Sequence, residues 1–113
     1  MLPAFQPTMA CVTVPDLETG RRLAAVILQN RLAACVNIIP GLESHYWWEG
    51  KIDSAQELLL LIKTSAARLG ELERCVKSNH PYQTPEFITF EIDSGSKEYL
   101  GWIAENVAST RLT

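Results

Sequence analysis

His80 is the side chain of this sequence with the widest chemical repertoire, and its loop, Asn79-His80-Pro81-Tyr82-Gln83-Thr84-Pro85-Glu86, is built to hold it still. Each proline fixes its own φ and biases the residue before it toward extended geometry. An imidazole held in that way can ligate a metal, sense a proton or hydrogen-bond the loop itself. Paired with Glu86 it would form a base and an orienting carboxylate. Catalysis also needs a nucleophile, and the chain has no GxSxG elbow, HExxH pair, P-loop or GxGxxG turn to point to one.

A second group of candidates lies upstream. Tyr46, Trp47 and Trp48 are large aromatics in a row, read either as packing between copies of the chain or as a platform for a ligand. Lys51 just after them is a binding charge or a solvated edge lysine. Glu57 and Lys63 flank the apolar run Leu58 to Ile62, where simple exposure competes with an ion pair between subunits. His45 shares a strand face with Glu43 and Trp47 and reads as a solvent or interface residue. Cys11, Cys35 and Cys75 form no CxxC pair, which favours free thiols in a reducing cytosol. Their surroundings suit small buried hydrophobes better than ligands.

The elements that must position these residues follow from the hydrophobic period. Thr8 to Val14 is a short β-rich run ended by Pro15-Asp16, and Asp16 is placed to accept the free amides of a helix over Leu17 to Arg31. Leu23, Val26 and Ile27 share a stripe on that helix, with Ala24 and Leu28 beside them. Alternation then resumes through Val36 and Ile38, with Pro40-Gly41 marking a bulge. Val36 to Trp48 and Lys51 to Thr64 form a hairpin turned at Glu49-Gly50. At about 13 residues each, its arms would be roughly 43 Å long, against the ~17 to 20 Å of an ordinary strand. A chain of this size cannot cover such arms, so the far aromatics predict an obligate oligomer. The unbroken run Leu58 to Ile62 suits a strand covered on both faces. Ser65 is expected to cap a second helix, Ala66 to Ser78, with Leu69, Leu72 and Val76 on one face and Cys75 beside them. Strand Phe87 to Ile92 and a last helix striped by Tyr99, Trp102 and Ile103 complete the order β-α-β-β-α-β-α. With right-handed crossovers that is an α+β, ferredoxin-like βαββαβ sandwich with a C-terminal helix.

Composition narrows the function. The chain has 113 residues, 47% of them hydrophobic, enough for one core and no second domain. Residues 1–7 read as a short disordered tail rather than a signal peptide, and 8–113 as the single domain. With 10 basic against 13 acidic residues, a net charge of −3 and no basic run beyond Arg21-Arg22, nucleic acid and membranes are not expected partners. The same fold in RNA binders carries an aromatic K/R-G-F/Y-G/A-F motif, and in acylphosphatases an Arg after the first strand; Val14-Pro15-Asp16-Leu17-Glu18 and the rest of the chain offer neither.

Several separated motifs agree with one family. Leu32-Ala33-Ala34-Cys35-Val36-Asn37, Tyr46-x-Trp48-x-Gly50-Lys51-Ile52, Glu57, Lys63-Thr64, His80-Pro81-Tyr82, Pro85-Glu86 and Tyr99-Leu100-x-Trp102 resemble, in order and spacing, the CutA family of divalent-cation tolerance proteins. The resemblance runs from about Thr8 to Val107. It implies a cytosolic homotrimer of ferredoxin-like subunits, similar in architecture to the PII signalling proteins. It implies copper tolerance and binding of copper or other divalent ions, without a catalytic reaction or an obligatory cofactor. The family's copper ligands, a Cys near the end of the first strand and two successive His before Pro-Tyr, transfer in part. The Cys position falls on Val12, the first His on Asn79, and only His80 is retained. Cys11 is one residue away, which turns its thiol to the opposite strand face. A lone imidazole is a weak site, because tight copper binding needs two or three converging N or S donors.

The expectations are therefore a non-enzymatic, cytoplasmic CutA-like trimer that binds a divalent metal weakly, with His80 as the metal-ligating residue. The alternative is a PII-like scaffold whose inter-subunit clefts, rimmed by Tyr46, Trp48, Lys51, Glu57, Lys63, His80, Tyr82 and Glu86, bind a small molecule or a protein partner.

Overall fold

The structure, a computed structural model, describes residues 5–107. Residues 1–4 of the expected tail and 108–113 of the expected domain lie outside them. The elements are β1 (Pro7–Val14), α1 (Leu17–Gln29), β2 (Cys35–Trp48), β3 (Lys51–Ser65), a 3-10 turn (Ala66–Arg68), α2 (Leu69–Asn79), β4 (Ile88–Glu91) and α3 (Lys97–Val107). The sheet runs β2-β3-β1-β4 with every pair antiparallel. β3 thus lies between β1 and β2, which is the split βαβ arrangement expected from the element order.

One sheet face carries the core. Ala10, Val12, Val14, Leu60 and Ile62 meet Leu23 and Ile27 of α1 and Leu72 and Val76 of α2, all of them fully buried. Each large aliphatic side chain buried this way stabilises the fold by roughly 1.5–3 kcal/mol. Asp16 caps α1 as expected, accepting the Thr19 amide at 2.8 Å. The helix stops at Gln29, two residues before the expected Arg31. Arg31 turns left-handed (φ 57°), the Leu32 amide donates to the Ile27 carbonyl at 3.0 Å and the Arg31 amide to that of Leu28 at 3.1 Å. This is a Schellman closure without its usual glycine, so the sequence gives no stop signal there. Leu28 is exposed rather than part of the stripe.

Other boundaries also differ. The first strand starts at Pro7. The Ser65 side chain makes no capping bond; Ser65 ends β3, and the chain enters α2 through the 3-10 turn. β4 spans Ile88–Glu91, shorter at both ends than Phe87 to Ile92. In α3 the cap is Ser96, whose Oγ accepts the Tyr99 amide at 3.1 Å. Of the expected stripe only Ile103 is buried; Val107 buries beside it, while Tyr99 and Trp102 remain exposed and stack on each other with ring centroids 5.6 Å apart.

The hairpin is as long as predicted. Its ladder runs from Cys35↔Lys63 to Trp48↔Lys51, with a register break between Ile39 and Leu42 where Gly41 takes φ 88°. Glu49 (φ 50°) and Gly50 (φ 79°) both adopt the positive φ of a type I′ turn. β1 ends at Val14↔Leu58, so among the described residues the hairpin beyond Glu57 has no third strand. That overhang makes the molecule 50 Å long against 23 Å in its shortest dimension. It leaves Trp47 73%, Ile52 70% and Trp48 60% exposed. Leu60 and Ile62 are buried, but Leu59 and Leu61 on the other face of β3 are only half-buried within one chain.

Candidate functional site: the His80 loop and the root of the hairpin

The loop after α2 closes against the end of β1. β4 pairs with β1 only from Thr8 to Cys11, so among the described residues the last part of β1 has no strand on that side. His80 takes the place of one: its Nε2 lies 2.8 Å from the Thr13 carbonyl. The Tyr82 amide donates to Nδ1 at 3.1 Å. Nδ1 must then be the bare nitrogen, which puts the proton on Nε2 and makes Nε2–H the donor to Thr13. The ring is 9% exposed and lies against that of Tyr82, with centroids 4.7 Å apart.

Held this way, Tyr82 reaches the root of the overhanging hairpin. Its hydroxyl donates to Glu57 Oε2 at 2.8 Å. Glu57 is 8% exposed, and the ion pairs among the described residues all lie elsewhere. The electrostatics reflect a carboxylate-rich, partly desolvated place. Burial, then the hydrogen bond and charge of Glu57, push the Tyr82 phenol up to about 12. Burial and then the charge of Glu57 raise the Glu86 carboxyl. Burial and then Glu86 raise the Cys11 thiol. A cleft of about 270 Å³ opens beside Glu57 at the bulge, walled also by Pro15, Pro40, Gly41, Leu42 and Leu58.

Of the predicted residues, Glu57, His80 and Tyr82 are joined by hydrogen bonds and ring contact, and the charge of Glu57 reaches Glu86, which brings these four together. Trp48 and Lys51 pair with each other at the hairpin tip. Lys63 is at the far end of β3, about 20 Å from Glu57 at strand rise, where its ammonium donates to Asn37 Oδ1. One chain alone therefore assembles half of the predicted rim. The Thr13 carbonyl and the bulge residues belong to the site and were not predicted; only the Pro40-Gly41 bulge had a signal in the sequence.

The positions that the copper resemblance implies do not converge. Val12 is fully buried in the core face of β1, while Cys11 faces the other way. The Asn79 amide donates to the Cys75 carbonyl at 2.8 Å. Both ring nitrogens of His80 are in use, so a metal ion there would have to displace the Tyr82 amide or the Thr13 carbonyl. No group of three or more His, Cys, Asp or Glu side chains able to hold a metal occurs among the described residues. The copper centre of the resemblance does not fit these residues.

Family comparison agrees with the fold. The profile of the CutA1 divalent ion tolerance protein family matches residues 8–106. The chain belongs to the CutA1 family. It is 52% identical over 92 residues to "Protein CutA 1, chloroplastic" of Oryza sativa, covering 81% of this chain and 52% of that protein. It is 47% identical over 95 residues to the divalent-cation tolerance protein CutA of Thermus thermophilus, covering 84% of this chain and 92% of that one. The solved structure of a CutA from Archaeoglobus fulgidus, described as a periplasmic divalent cation tolerance protein, superposes with a TM-score of 0.87 at 42% identity, covering 89% of this chain and 98% of that one. The chain thus spans about half the length of the Oryza CutA1 protein and nearly all of the Thermus one. Among the described residues no helix is long and apolar enough to cross a membrane.

Proposed function

We propose that this CutA1 chain acts in divalent-cation tolerance as a non-enzymatic homotrimer of the cytoplasm, binding copper or another divalent cation weakly and needing no cofactor. The observation that carries the reading is the overhanging hairpin. Trp47, Trp48 and Ile52 present three large side chains at 60% exposure or more on strands without a third neighbour among the described residues, a surface that a second copy of the chain would bury. Non-enzymatic action is supported by the use of the site's polar groups: His80, Tyr82 and Glu57 are spent on bonds to one another and to the backbone, in a chain whose motifs point to no nucleophile.

Native mass spectrometry and light scattering test the assembly, and calorimetry with divalent cations tests the binding. A trimer with no folded monomer at micromolar concentration is expected, and Trp48→Ala should weaken it, since truncating a Trp buried between subunits costs about 3–5 kcal/mol. A folded monomer, or an unchanged mass and melting temperature in Trp48→Ala, would refute the reading.

The cleft beside Glu57 favours a second reading, a PII-like role in which a small molecule or protein partner docks there. Its walls combine apolar residues with a nearly buried carboxylate, the composition of a ligand site. Ligand-dependent protection of Tyr82 and Glu57 in hydrogen exchange or chemical modification would distinguish it.

A further inference from the structure

The chain has two histidines, and the structure gives them opposite situations. His80 is nearly buried with both nitrogens engaged. His45 stands on the overhanging arm of β2 with its side chain 62% exposed, and its Nε2 lies 2.7 Å from Oε2 of Glu43, itself 71% exposed. We propose that the divalent-cation site of this chain is the Glu43-x-His45 chelate on β2 and not His80. The inference rests on the cation-binding role proposed above and assigns it a place.

The geometry is that of a ready bite. Residues two apart on a strand project to the same face, so the carboxylate and the imidazole meet without backbone change. Zinc–nitrogen and zinc–oxygen bonds of ~2.0–2.1 Å at angles of roughly 90–109° place the two donor atoms about 2.9–3.3 Å apart, a few tenths of an ångström beyond the spacing already present. On binding, the metal forms one bond to Nε2 and one to Oε2, replacing the hydrogen bond between them, and the ring takes its Nδ1–H tautomer, the proton leaving Nε2 through water while Nδ1 gains one, so that the imidazole stays neutral. Further donors stand across the ladder. Gln56 is directly opposite Glu43 and Ser54 opposite His45, with Cβ atoms about 4.5–5.5 Å apart in such pairs, so an amide and a hydroxyl side chain project from the same face of the ladder. Glu43 and Gln56 also form part of the wall of the cleft at the bulge.

Imidazole, carboxylate and amide oxygen select borderline divalent ions such as Cu(II), Zn(II) and Ni(II) over Mg(II) and Ca(II). With no thiolate in the set, Cu(I) has no soft partner there. Affinity is expected to be modest, as both donors are exposed within one chain and must shed water to bind.

Calorimetry with Cu(II) and Zn(II) on the intact chain, wild type against His45→Ala, Glu43→Gln and His80→Gln, decides the matter. The proposal expects affinity to fall by at least about tenfold in the first two variants, since even outer-shell partners are worth 10–100-fold, and to be kept in His80→Gln. Substoichiometric Cu(II) should broaden the ring signals of His45 before those of His80 in NMR spectra, a readout that stands even where His80→Gln folds poorly. Binding that survives unchanged in His45→Ala, or ring broadening that starts at His80, overturns the placement and leaves the cation-binding function standing. A wild type that binds neither ion overturns both.

Discussion

Replacing Tyr82 by phenylalanine removes one hydroxyl and tests whether the loop clamps the hairpin root. The Tyr82 hydroxyl donates to Glu57 at 2.8 Å, and Glu57 is 8% exposed with no ion-pair partner among the described residues. A hydrogen bond to a charged acceptor contributes about 1.5–3 kcal/mol. Tyr82 is itself 36% exposed, so water can partly replace the hydroxyl, and the expected loss is about 1–2 kcal/mol. At ~2.1 cal/mol/K per residue of unfolding entropy, that lowers the melting temperature by about 4–8 °C. The comparison belongs at matched protein concentration, because assembly makes melting concentration-dependent. A double-mutant cycle with Glu57→Gln should return a coupling of about 1 kcal/mol or more. Alkaline titration gives an independent readout. The folded phenol ionises near 12, above its usual value of 10.0, so its contribution is whole below that usual value and is lost as pH rises through the folded one. The penalty of Tyr82→Phe should shrink across that window. In tyrosinate absorbance one late-ionising tyrosine should vanish, leaving Tyr99, which burial and Cys35 also raise. A melting temperature within about 1 °C of wild type, with the late step intact, would show that the hydroxyl does not hold Glu57.

Glu86→Gln should stabilise the protein at neutral pH: burial and Glu57 raise the carboxyl's pKa above 4.5, so the folded state favours the protonated form and loses that advantage as pH rises through the raised value. The gain over wild type should disappear in melts run below pH 4.5, and a gain that persists there would contradict the assignment. Gly20→Ala should be stabilising by about 0.5–1 kcal/mol through helix propensity and the unfolded chain. A Cβ on Gly20 would meet methyls of Leu60, Val14 and Ile38 at 3.5–3.6 Å, ordinary van der Waals contact; a lower denaturation midpoint would mean that α1 cannot keep its distance from the sheet.

What the sequence could show and what it could not divide along a physical line. The hairpin, its I′ turn, the bulge and the Asp16 cap all rest on local chemistry: glycines at 41 and 50 with positive φ, a proline, a short carboxylate before a helix. Signals of that kind are read within a few residues. Boundaries set by long-range accommodation were not readable. α1 closes with Arg31 in a left-handed conformation that glycine more often takes, because the Leu32 side chain that follows is drawn into the core. Tyr99 and Trp102 satisfy a helical stripe by spacing, but α3 meets the sheet along Ile103 and Val107 instead.

His80 is the sharpest case of this division. Its loop was legible as stiff, and its neighbours Tyr82 and Glu86 as site residues, yet whether the imidazole is free depends on the length of β4. Had that strand run two residues further along β1, the Thr13 carbonyl would have been taken by a backbone amide and His80 left to solvent or metal. Because β4 ends opposite Cys11, the ring closes the sheet in place of the missing strand, and its other nitrogen fixes the Tyr82 amide. The side chain that looks most like a metal ligand in the sequence is thereby a structural bridge. It connects the end of β1 to the Tyr82–Glu57 bond, and through it to the root of the hairpin on which the proposed trimer depends.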